Sequence, residues 1–240
     1  MKNYVVNLKR QPEKFERFSK LNAGSGIAFE RFEASDGSEM SEQDAVAAKV
    51  MAAGTKLTKG AIGCGTSHQR IWKEMAQANA PALVFEDDAL IRNDIDAVLP
   101  ALLAGMENWD ILVLGYNTDS ILDLEIAHGM SSAVMFAPQY PTKESEAAFQ
   151  RSKAAVSALK LNHCFGTSGY AISPAGAKKL LKFCFPMDNR QIAIPALKRS
   201  FPAFGLDCML NDVYKNVEAF ACFGPLVLPK NDRAASTVQK

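Results

Sequence analysis

The chain has 240 residues, of which 48% are hydrophobic, 22% charged and 9% aromatic. This composition suits a single domain with a sizeable core and excludes a disordered, collagen-like or coiled-coil protein. With 27 basic and 26 acidic residues, the net charge of +1 argues against nucleic acid as a partner, because phosphate binding needs surplus basic residues. Five widely spaced cysteines argue against a zinc site or a disulfide framework, so we expect a reducing cytoplasm.

Apolar patterning in the first half predicts strands that alternate with helices. The predicted strands cover 4–8, 27–32, 82–85 and 110–115, and the predicted helices begin near positions 12, 41, 58 and 96 and end near 21, 54, 77 and 104. In the second half we predict strands over 133–136, 165–172 and 218–223, and helices over 174–183 and 207–216. The alternation indicates an α/β fold with a mostly parallel central sheet flanked by helices. Such sheets bind ligands at the carboxyl ends of their strands.

Three acidic residues, Glu86, Asp87 and Asp88, directly follow the apolar strand that covers 82–85. Three neighbouring carboxylates repel one another and are costly to desolvate, and a hard divalent cation relieves that repulsion. Mg²⁺ or Mn²⁺ accepts carboxylate oxygens and often keeps substrate phosphates in its shell. The triplet therefore predicts a metal site, and a solvated loop or a helix N-terminus is the alternative interpretation.

The helix that begins at Thr58 contains three glycines in six positions, Gly60, Gly63 and Gly65. Glycine weakens a helix by roughly 1 kcal/mol per residue, and in return it allows a backbone or a ligand to approach closely. Cys64 and His68 lie four residues apart on this helix, so a Cys/His nucleophile pair is conceivable. A packed helix with a hydrogen-bonded histidine is the simpler interpretation, since nothing in the sequence indicates an activated Cys64.

Four ordered segments resemble glycosyltransferase family 25, which contains bacterial lipopolysaccharide and lipooligosaccharide sugar transferases and is related to the collagen galactosyltransferases. The segments are Tyr-Val-Val-Asn-Leu-Lys-Arg at 4–10, Phe-Glu-Ala-Ser-Asp-Gly at 32–37, Lys-Gly-Ala-Ile-Gly-Cys-Gly-Thr-Ser-His at 59–68 and Ala-Leu-Val-Phe-Glu-Asp-Asp at 82–88. A looser match covers 166–173. The resemblance implies a GT-A-like nucleotide-diphosphosugar transferase fold, with 1–240 as one domain. Within it, about 1–115 would bind the nucleotide sugar and about 116–240 the acceptor.

The resemblance also implies a UDP-sugar donor, usually UDP-galactose, transferred with inversion to a lipopolysaccharide, lipooligosaccharide or other surface glycan. Asp88 would bind Mn²⁺ or Mg²⁺, Glu86 would be a second or water-mediated ligand, and Asp87 would face the ribose. The other donor-binding residues implied by position are Asn7, Leu8, Arg10, Asp36, Gly37, Ser67 and His68. The residues implied to bind the acceptor are Thr167, Ser168 and Gly169.

An inverting transfer needs a base that accepts the proton of the acceptor hydroxyl. Our first choice is Asp207, with Asp188 and Asp212 as rivals, and a helix N-cap is the alternative role for Asp207. The chain departs from the family pattern in two ways. No histidine follows His163 to complete a metal shell, and Cys208 stands where relatives commonly have Trp. The segment 120–151 matches nothing in the family pattern.

A lipid-linked acceptor would place the protein in the cytoplasm, at the inner face of a membrane. Basic residues in the C-terminal half fit peripheral contact with an anionic surface, although a solvated helix face explains each of them equally well: Lys178, Lys179, Lys182, Arg190, Lys198 and Arg199. Two other functions stay open. One is a non-catalytic module that binds a sugar nucleotide or a glycan, and the other is a metal-dependent phosphohydrolase.

Overall fold

The computed structural model describes residues 1–230, so positions 231–240 of the predicted domain lie outside the described residues. The strands are β1 (Lys2–Leu8), β2 (Glu30–Ala34), β3 (Ala82–Glu86), β4 (Ala89–Ile91), β5 (Ile111–Gly115), β6 (Leu122–Ala127), β7 (Met130–Val134), β8 (Ser157–His163), β9 (Gly169–Ile172), β10 (Gln191–Ile194), β11 (Arg199–Pro202), β12 (Ala219–Phe223) and β13 (Val227–Pro229). The helices are α1 (Pro12–Leu21), α2 (Glu42–Ala47), α3 (Lys59–Met75), α4 (Ile95–Ala104), α5 (Lys143–Gln150), α6 (Pro174–Cys184) and α7 (Leu206–Val213).

In the described part of the chain, nine strands form one central sheet in the order β2-β1-β3-β9-β5-β12-β8-β6-β7. Within residues 1–230, six of these strands run in one direction, and β7, β8 and β9 run against them. The predicted α/β class is therefore confirmed, and most strands share one direction, although five of the eight pairings described in this sheet are antiparallel. The insertion of β9 between the parallel strands β3 and β5 was not predicted, because apolar patterning does not report strand direction.

Both faces of the sheet are covered by helices, as predicted. Successive residues of β3 point to opposite faces, so Val84 joins one core cluster and Phe85 the other. The first cluster includes apolar residues of α3, α6 and α7, and the second includes those of α1 and α4. Burial on both faces explains why β3 and β5 are continuously apolar in sequence.

Local capping chemistry sets the starts of several helices. Thr58 caps α3 by accepting a hydrogen bond from the backbone amide of Ala61, and Ser41 forms with Asp44 the reciprocal capping box of α2. The helix predicted to extend to about position 54 instead ends at Ala47. The backbone of Lys49 adopts a positive φ of 56°, which breaks the helix.

The segment 120–151 contains the hairpin β6–β7 at one edge of the sheet, followed by α5. Gln150, the last residue of α5, donates hydrogen bonds to the carbonyls of Leu21 and Ile91 and so ties this helix to the N-terminal part of the fold. No helix within residues 1–230 is long and apolar enough to cross a membrane.

Candidate functional site

A cleft of about 760 Å³ lies where β1, β2 and β3 end. These three strands are parallel neighbours, so the loops that follow them meet at one edge of the sheet. The cleft is lined by eleven of the residues predicted from the sequence to bind donor, acceptor or metal or to act in catalysis: Leu8, Arg10, Asp36, Gly37, Ser67, His68, Glu86, Asp87, Asp88, Thr167 and Asp207. Residues distant in sequence are thus brought to one concave surface.

Glu86 is a strongly perturbed carboxylate of the cleft. Burial, followed by the nearby charge of Asp88, raises the pKa of Glu86 to about 8. The Thr167 hydroxyl donates a hydrogen bond of 2.5 Å to Glu86 Oε1, and the charge of Asp207 contributes to the raised pKa. Asp88 and Asp207 are therefore close enough to Glu86 for their charges to act on it.

Asn7 lies behind the cleft and holds Asp87. It is 1% exposed, and its Nδ2 donates hydrogen bonds to Asp87 Oδ2 at 2.6 Å and to the carbonyl of Gln11 at 3.0 Å. Its Oδ1 accepts a hydrogen bond from Arg31 Nε. Burial raises the pKa of Asp87, and the hydrogen bond from Asn7 acts in the opposite direction. The structure thus places Asn7 where it orients Asp87, outside the lining itself.

Asp36 is fixed from two sides at the rim of the cleft. Arg10 Nε donates a hydrogen bond of 2.5 Å to Asp36 Oδ2, and the backbone amide and hydroxyl of Ser38 donate to Oδ1. These hydrogen bonds, led by the one from Arg10, lower the pKa of Asp36 to about 2. Asp36 is therefore a fixed anion at neutral pH.

Gly63 of α3, together with Gly37, allows the segment 35–38 to pack directly on the helix backbone. A Cβ added to Gly37 would lie 1.8 Å from the carbonyl oxygen of Lys59, and one added to Gly63 would lie 2.7 Å from the backbone nitrogen of Gly37. Ser67 stabilises this contact, because its hydroxyl donates a hydrogen bond to the carbonyl of Gly63 and accepts one from the amide of Ser35. The predicted close approach at these glycines is that of another backbone.

Cys64 and His68 both line the cleft but show no nucleophile pairing. Burial, with smaller contributions from Glu86 and Asp207, raises the pKa of the Cys64 thiol far above its usual range. His68 is buried and its Nδ1 lies 2.7 Å from the hydroxyl of Tyr170. The thiol therefore stays protonated at neutral pH, in agreement with the simpler interpretation from the sequence.

Asp207 reaches the cleft, whereas Asp188 does not. Asp207 lies in the first turn of α7, with Gly205 as the N-cap, and its carboxylate accepts backbone hydrogen bonds from Gly166 and Cys208. Burial raises its pKa. Asp188 instead binds Arg190 at 2.7 Å, outside the cleft lining, and the same guanidinium contacts Asp212 at 3.4 Å. The N-cap role considered for Asp207 is wrong.

The segment 167–169 divides between the cleft and the sheet. Thr167 lines the cleft and donates to Glu86, whereas Ser168 and Gly169 are buried and stand outside the lining. Gly169 pairs with Phe85 and Gly115 on the two neighbouring strands of β9. The structure therefore brings one of these three residues to the cleft surface.

Further polar residues line the cleft that were not assigned to it from the sequence: Gln11, Lys14, Arg17, Lys59, Asn117, Lys143, Glu146 and Lys230. Lys14 and Arg17 are three residues apart on α1, and this i, i+3 spacing was the available signal for a shared helix face. Their positive charges lower the pKa of Asp87. The cations from α1, α3 and α5 make the cleft suitable for an anionic ligand.

Some of the six basic residues expected at a membrane surface form ion pairs within the fold. Lys179 pairs with Asp110 at 2.6 Å, and Arg190 pairs with Asp188. The others lie on α6 and on the hairpin β10–β11. Ion pairing within the fold thus accounts for two of the six.

Glu86 and Asp88 are the candidate donors for a divalent metal. Within residues 1–230 no three His, Cys, Asp or Glu side chains are grouped as a metal site made by the protein alone. Mg²⁺ commonly takes one or two carboxylates and completes its shell with waters and substrate phosphates. The two carboxylates fit a site of that shared kind and do not fit a closed protein cage.

Comparisons with known proteins agree with the resemblance seen in the sequence. The chain is 28% identical over 192 residues to the glycosyltransferase 25 family member of Drosophila melanogaster, covering 74% of this chain and 27% of that protein. It is 28% identical over 177 residues to the inactive glycosyltransferase 25 family member 3 of Homo sapiens, covering 72% and 24%. It is 30% identical over 133 residues to procollagen galactosyltransferase 1-A of Xenopus laevis, covering 53% and 18%. The chain thus spans about a quarter or less of the length of these relatives.

The family model covers more of this chain than any of these three pairwise alignments. The model of glycosyltransferase family 25 (LPS biosynthesis protein) matches residues 1–193, which include the loops after β1, β2 and β3 that form the cleft. The chain therefore belongs to glycosyltransferase family 25.

Proposed function

We propose that this protein is a metal-dependent inverting glycosyltransferase that moves a sugar from a UDP-sugar to a glycan acceptor. The sugar that we propose is galactose. The observation that carries the proposal is the cleft at the ends of β1, β2 and β3. There Asp88 and Asp207 both lie within electrostatic reach of Glu86, among several cationic side chains. The family and the galactosyltransferase relatives support the choice of reaction and sugar.

In this proposal the cations of the cleft bind the diphosphate of the donor. Lys14, Arg17, Lys59, Lys143 and Lys230 supply positive charge from α1, α3, α5 and the segment after β13. Asp36 and Asp87 are held by Arg10 and Asn7 and offer fixed carboxylates to the hydroxyls of the nucleoside. Glu86 and Asp88 would hold Mn²⁺ or Mg²⁺, which when bound supplies Lewis-acid stabilisation of the departing diphosphate.

Asp207 is the proposed general base. Its two oxygens accept hydrogen bonds from the amides of Gly166 at 3.3 Å and Cys208 at 2.8 Å, and these fix the carboxylate in place. Burial raises its pKa, which makes the carboxylate a stronger proton acceptor for a sugar hydroxyl. Asp188 is the weaker candidate because Arg190 lowers its pKa and its carboxylate stands outside the cleft lining.

A paired substitution tests the base. Asp207→Asn should reduce transfer from UDP-galactose by about 10²-fold or more while UDP binding stays within a few-fold of wild type, because the substitution removes a proton acceptor and keeps the shape. Asp188→Asn is the matched control and should keep near-normal transfer. Equal losses in the two variants would refute the assignment.

The metal role has its own test. Turnover of UDP-galactose should require Mn²⁺ or Mg²⁺, and Asp88→Asn should lower metal-dependent turnover by about 100-fold or more. Asp96→Asn, at an exposed position outside the cleft lining, is the matched control. Intact turnover in Asp88→Asn would show that Asp88 does not bind the metal.

The second candidate is a module that binds a sugar nucleotide or a glycan without catalysis. The observation that favours it is the similarity to a human family member whose name marks it as inactive. This candidate predicts that UDP binds while neither transfer nor hydrolysis of UDP-sugars occurs across donors and acceptors. Release of UDP from any donor in the screen would exclude it.

The acceptor and its location are the remaining parts of the proposal. The family description as an LPS biosynthesis protein favours a lipid-linked oligosaccharide, presented to a cytoplasmic protein at the inner face of the membrane. Exposed Lys178, Lys182, Lys198 and Arg199 are the side chains available for peripheral contact with anionic lipids. Sedimentation with anionic and neutral vesicles separates peripheral binding from its absence.

A further inference from the structure

Three buried polar side chains form a chain of hydrogen bonds that ends at the cleft. Trp72 on α3 and Tyr170 on β9 are fully buried, and Trp72 Nε1 lies 2.9 Å from the Tyr170 hydroxyl. The same hydroxyl lies 2.7 Å from Nδ1 of His68. His68 is one turn before Trp72 on the same helix and lines the cleft. The cleft is thus connected to a polar group in the middle of the core.

The chemistry of the three groups fixes the direction of every hydrogen bond. An indole nitrogen only donates, so Trp72 donates to the hydroxyl oxygen of Tyr170. The phenol is protonated at neutral pH because burial raises the pKa of Tyr170 well above its usual range. Among the described residues His68 Nδ1 is the only acceptor within hydrogen-bond distance of this hydroxyl, so the hydroxyl hydrogen points to His68 Nδ1, which is then the accepting nitrogen. Burial also lowers the pKa of His68 to about 4, so the ring is neutral at pH 7.

A neutral imidazole carries one proton, and an accepting Nδ1 leaves that proton on Nε2. We infer that Trp72 and Tyr170 are positioning residues that hold His68 as the Nε2–H tautomer, and that His68 serves the cleft as a hydrogen-bond donor to an anionic oxygen of the ligand and not as a base. The linked hydrogen bonds polarise one another in a dry interior, which strengthens the terminal donor.

The identification of the anionic oxygen as one of a nucleoside diphosphate rests on the proposed function. The assignment of the His68 tautomer does not depend on that function. A buried histidine with a rigid N–H supplies a donor that needs no reorganisation when charge develops on a departing phosphate. The sequence pattern of His68 and Trp72 at i, i+4 is silent on this point, because Tyr170 is supplied 98 residues further along by the antiparallel strand β9.

The chain has three histidines, so the imidazole nitrogens can be resolved by ¹⁵N NMR. We expect His68, assigned by its loss in His68→Gln, to show a protonated Nε2 and an unprotonated, hydrogen-bonded Nδ1 from pH 6 to pH 8. A His68 proton on Nδ1, or a doubly protonated ring at pH 7, would overturn the inference.

Addition of UDP with Mg²⁺ should shift the His68 Nε2–H resonance and leave Nδ1 little changed. His68→Phe, which keeps a ring without the donor, should weaken UDP binding by about tenfold, and His68→Gln should restore much of the affinity because its amide can donate. UDP binding with an unmoved Nε2–H would refute the donor role. Absence of UDP binding to the wild-type protein would instead count against the proposed function and leave the tautomer measurement intact.

Tyr170→Phe removes only the hydroxyl that orients the histidine. It should move the His68 Nδ1 resonance and raise the dissociation constant for UDP about threefold or more, since the competent tautomer is no longer enforced. Tyr116→Phe is the matched control, because it removes another buried hydroxyl, which donates to the carbonyl of Cys222. An equal response of the His68 signals in both variants would show that Tyr170 has no specific positioning role.

Discussion

Replacement of Gly37 by alanine probes the contact that places Asp36 in the cleft. The added Cβ would lie 1.8 Å from the carbonyl oxygen of Lys59 and 2.8 Å from the backbone nitrogen of Gly63. Both neighbours are backbone atoms of the first turns of α3, so no side chain can rotate away. The segment 35–38 must therefore move off the helix by roughly 1.6 Å to reach the ordinary contact distance of 3.4 Å.

The energetic cost has two parts. Forcing an extra carbon into a closely packed contact costs about 1–3 kcal/mol. Displacement of the segment also lengthens the 2.9 Å hydrogen bond from the Ser35 amide to the Ser67 hydroxyl, which is worth about 1 kcal/mol. We expect Gly37→Ala to lower the free energy of unfolding by roughly 2–4 kcal/mol, which leaves a typical domain folded at 25 °C.

Urea unfolding followed by circular dichroism measures this difference, and calorimetry measures the accompanying loss of UDP affinity. Gly105→Ala is the matched control. Its added Cβ meets the nearest atom at 3.6 Å, an ordinary contact at the end of α4, and its stability should stay within about 0.5 kcal/mol of wild type. If Gly37→Ala unfolds with the same urea midpoint and the same urea dependence as wild type, the proposed packing of this segment on α3 is refuted.

Two further predictions concern buried charge. Because burial lowers the pKa of His68 from about 6.5 to about 4, the unfolded chain binds more protons between these values. The free energy of unfolding should therefore decrease between pH 7 and pH 4.5, and the decrease should be about 2.5 kcal/mol larger in wild type than in His68→Gln. Urea unfolding at several pH values measures this difference, and an equal pH dependence in the two proteins would contradict it. Asp94→Ala leaves the buried guanidinium of Arg92 without its bidentate partner and should cost about 3–5 kcal/mol, whereas Lys2→Ala at an exposed pair should cost much less, both measured by urea unfolding.

Several parts of the fold and site follow from local sequence alone. Pro12 at the first turn of α1 and Thr58 at the N-cap of α3 have local roles, and the sequence predicted both helices. The apolar run of β3 and the acids that follow it could be assigned to the end of a buried strand without knowledge of any partner. Because parallel strands end at a common edge, Arg10 and Glu86 are expected at the same edge of the sheet from the sequence alone.

The sequence was less informative where two candidates share the same local chemistry. Asp188 and Asp207 are both aspartates in the C-terminal half, and pattern alone does not separate them. The structure pairs Asp188 with Arg190 and turns Asp207 into the cleft against Gly166. Lys143 was similarly beyond prediction, because α5 reaches the cleft from a segment without recognisable motifs.

By itself, the sequence determined the α/β class, the family and the loops that carry the acidic residues, because these depend on periodicity, capping and short motifs. Only the tertiary structure decided the neighbours. The antiparallel strand β9 brings Tyr170 to His68, and packing between backbones brings Gly37 against Gly63. Such contacts join residues far apart along the chain, and their chemistry, from the pKa of Glu86 to the tautomer of His68, depends on burial and partners that no local pattern contains.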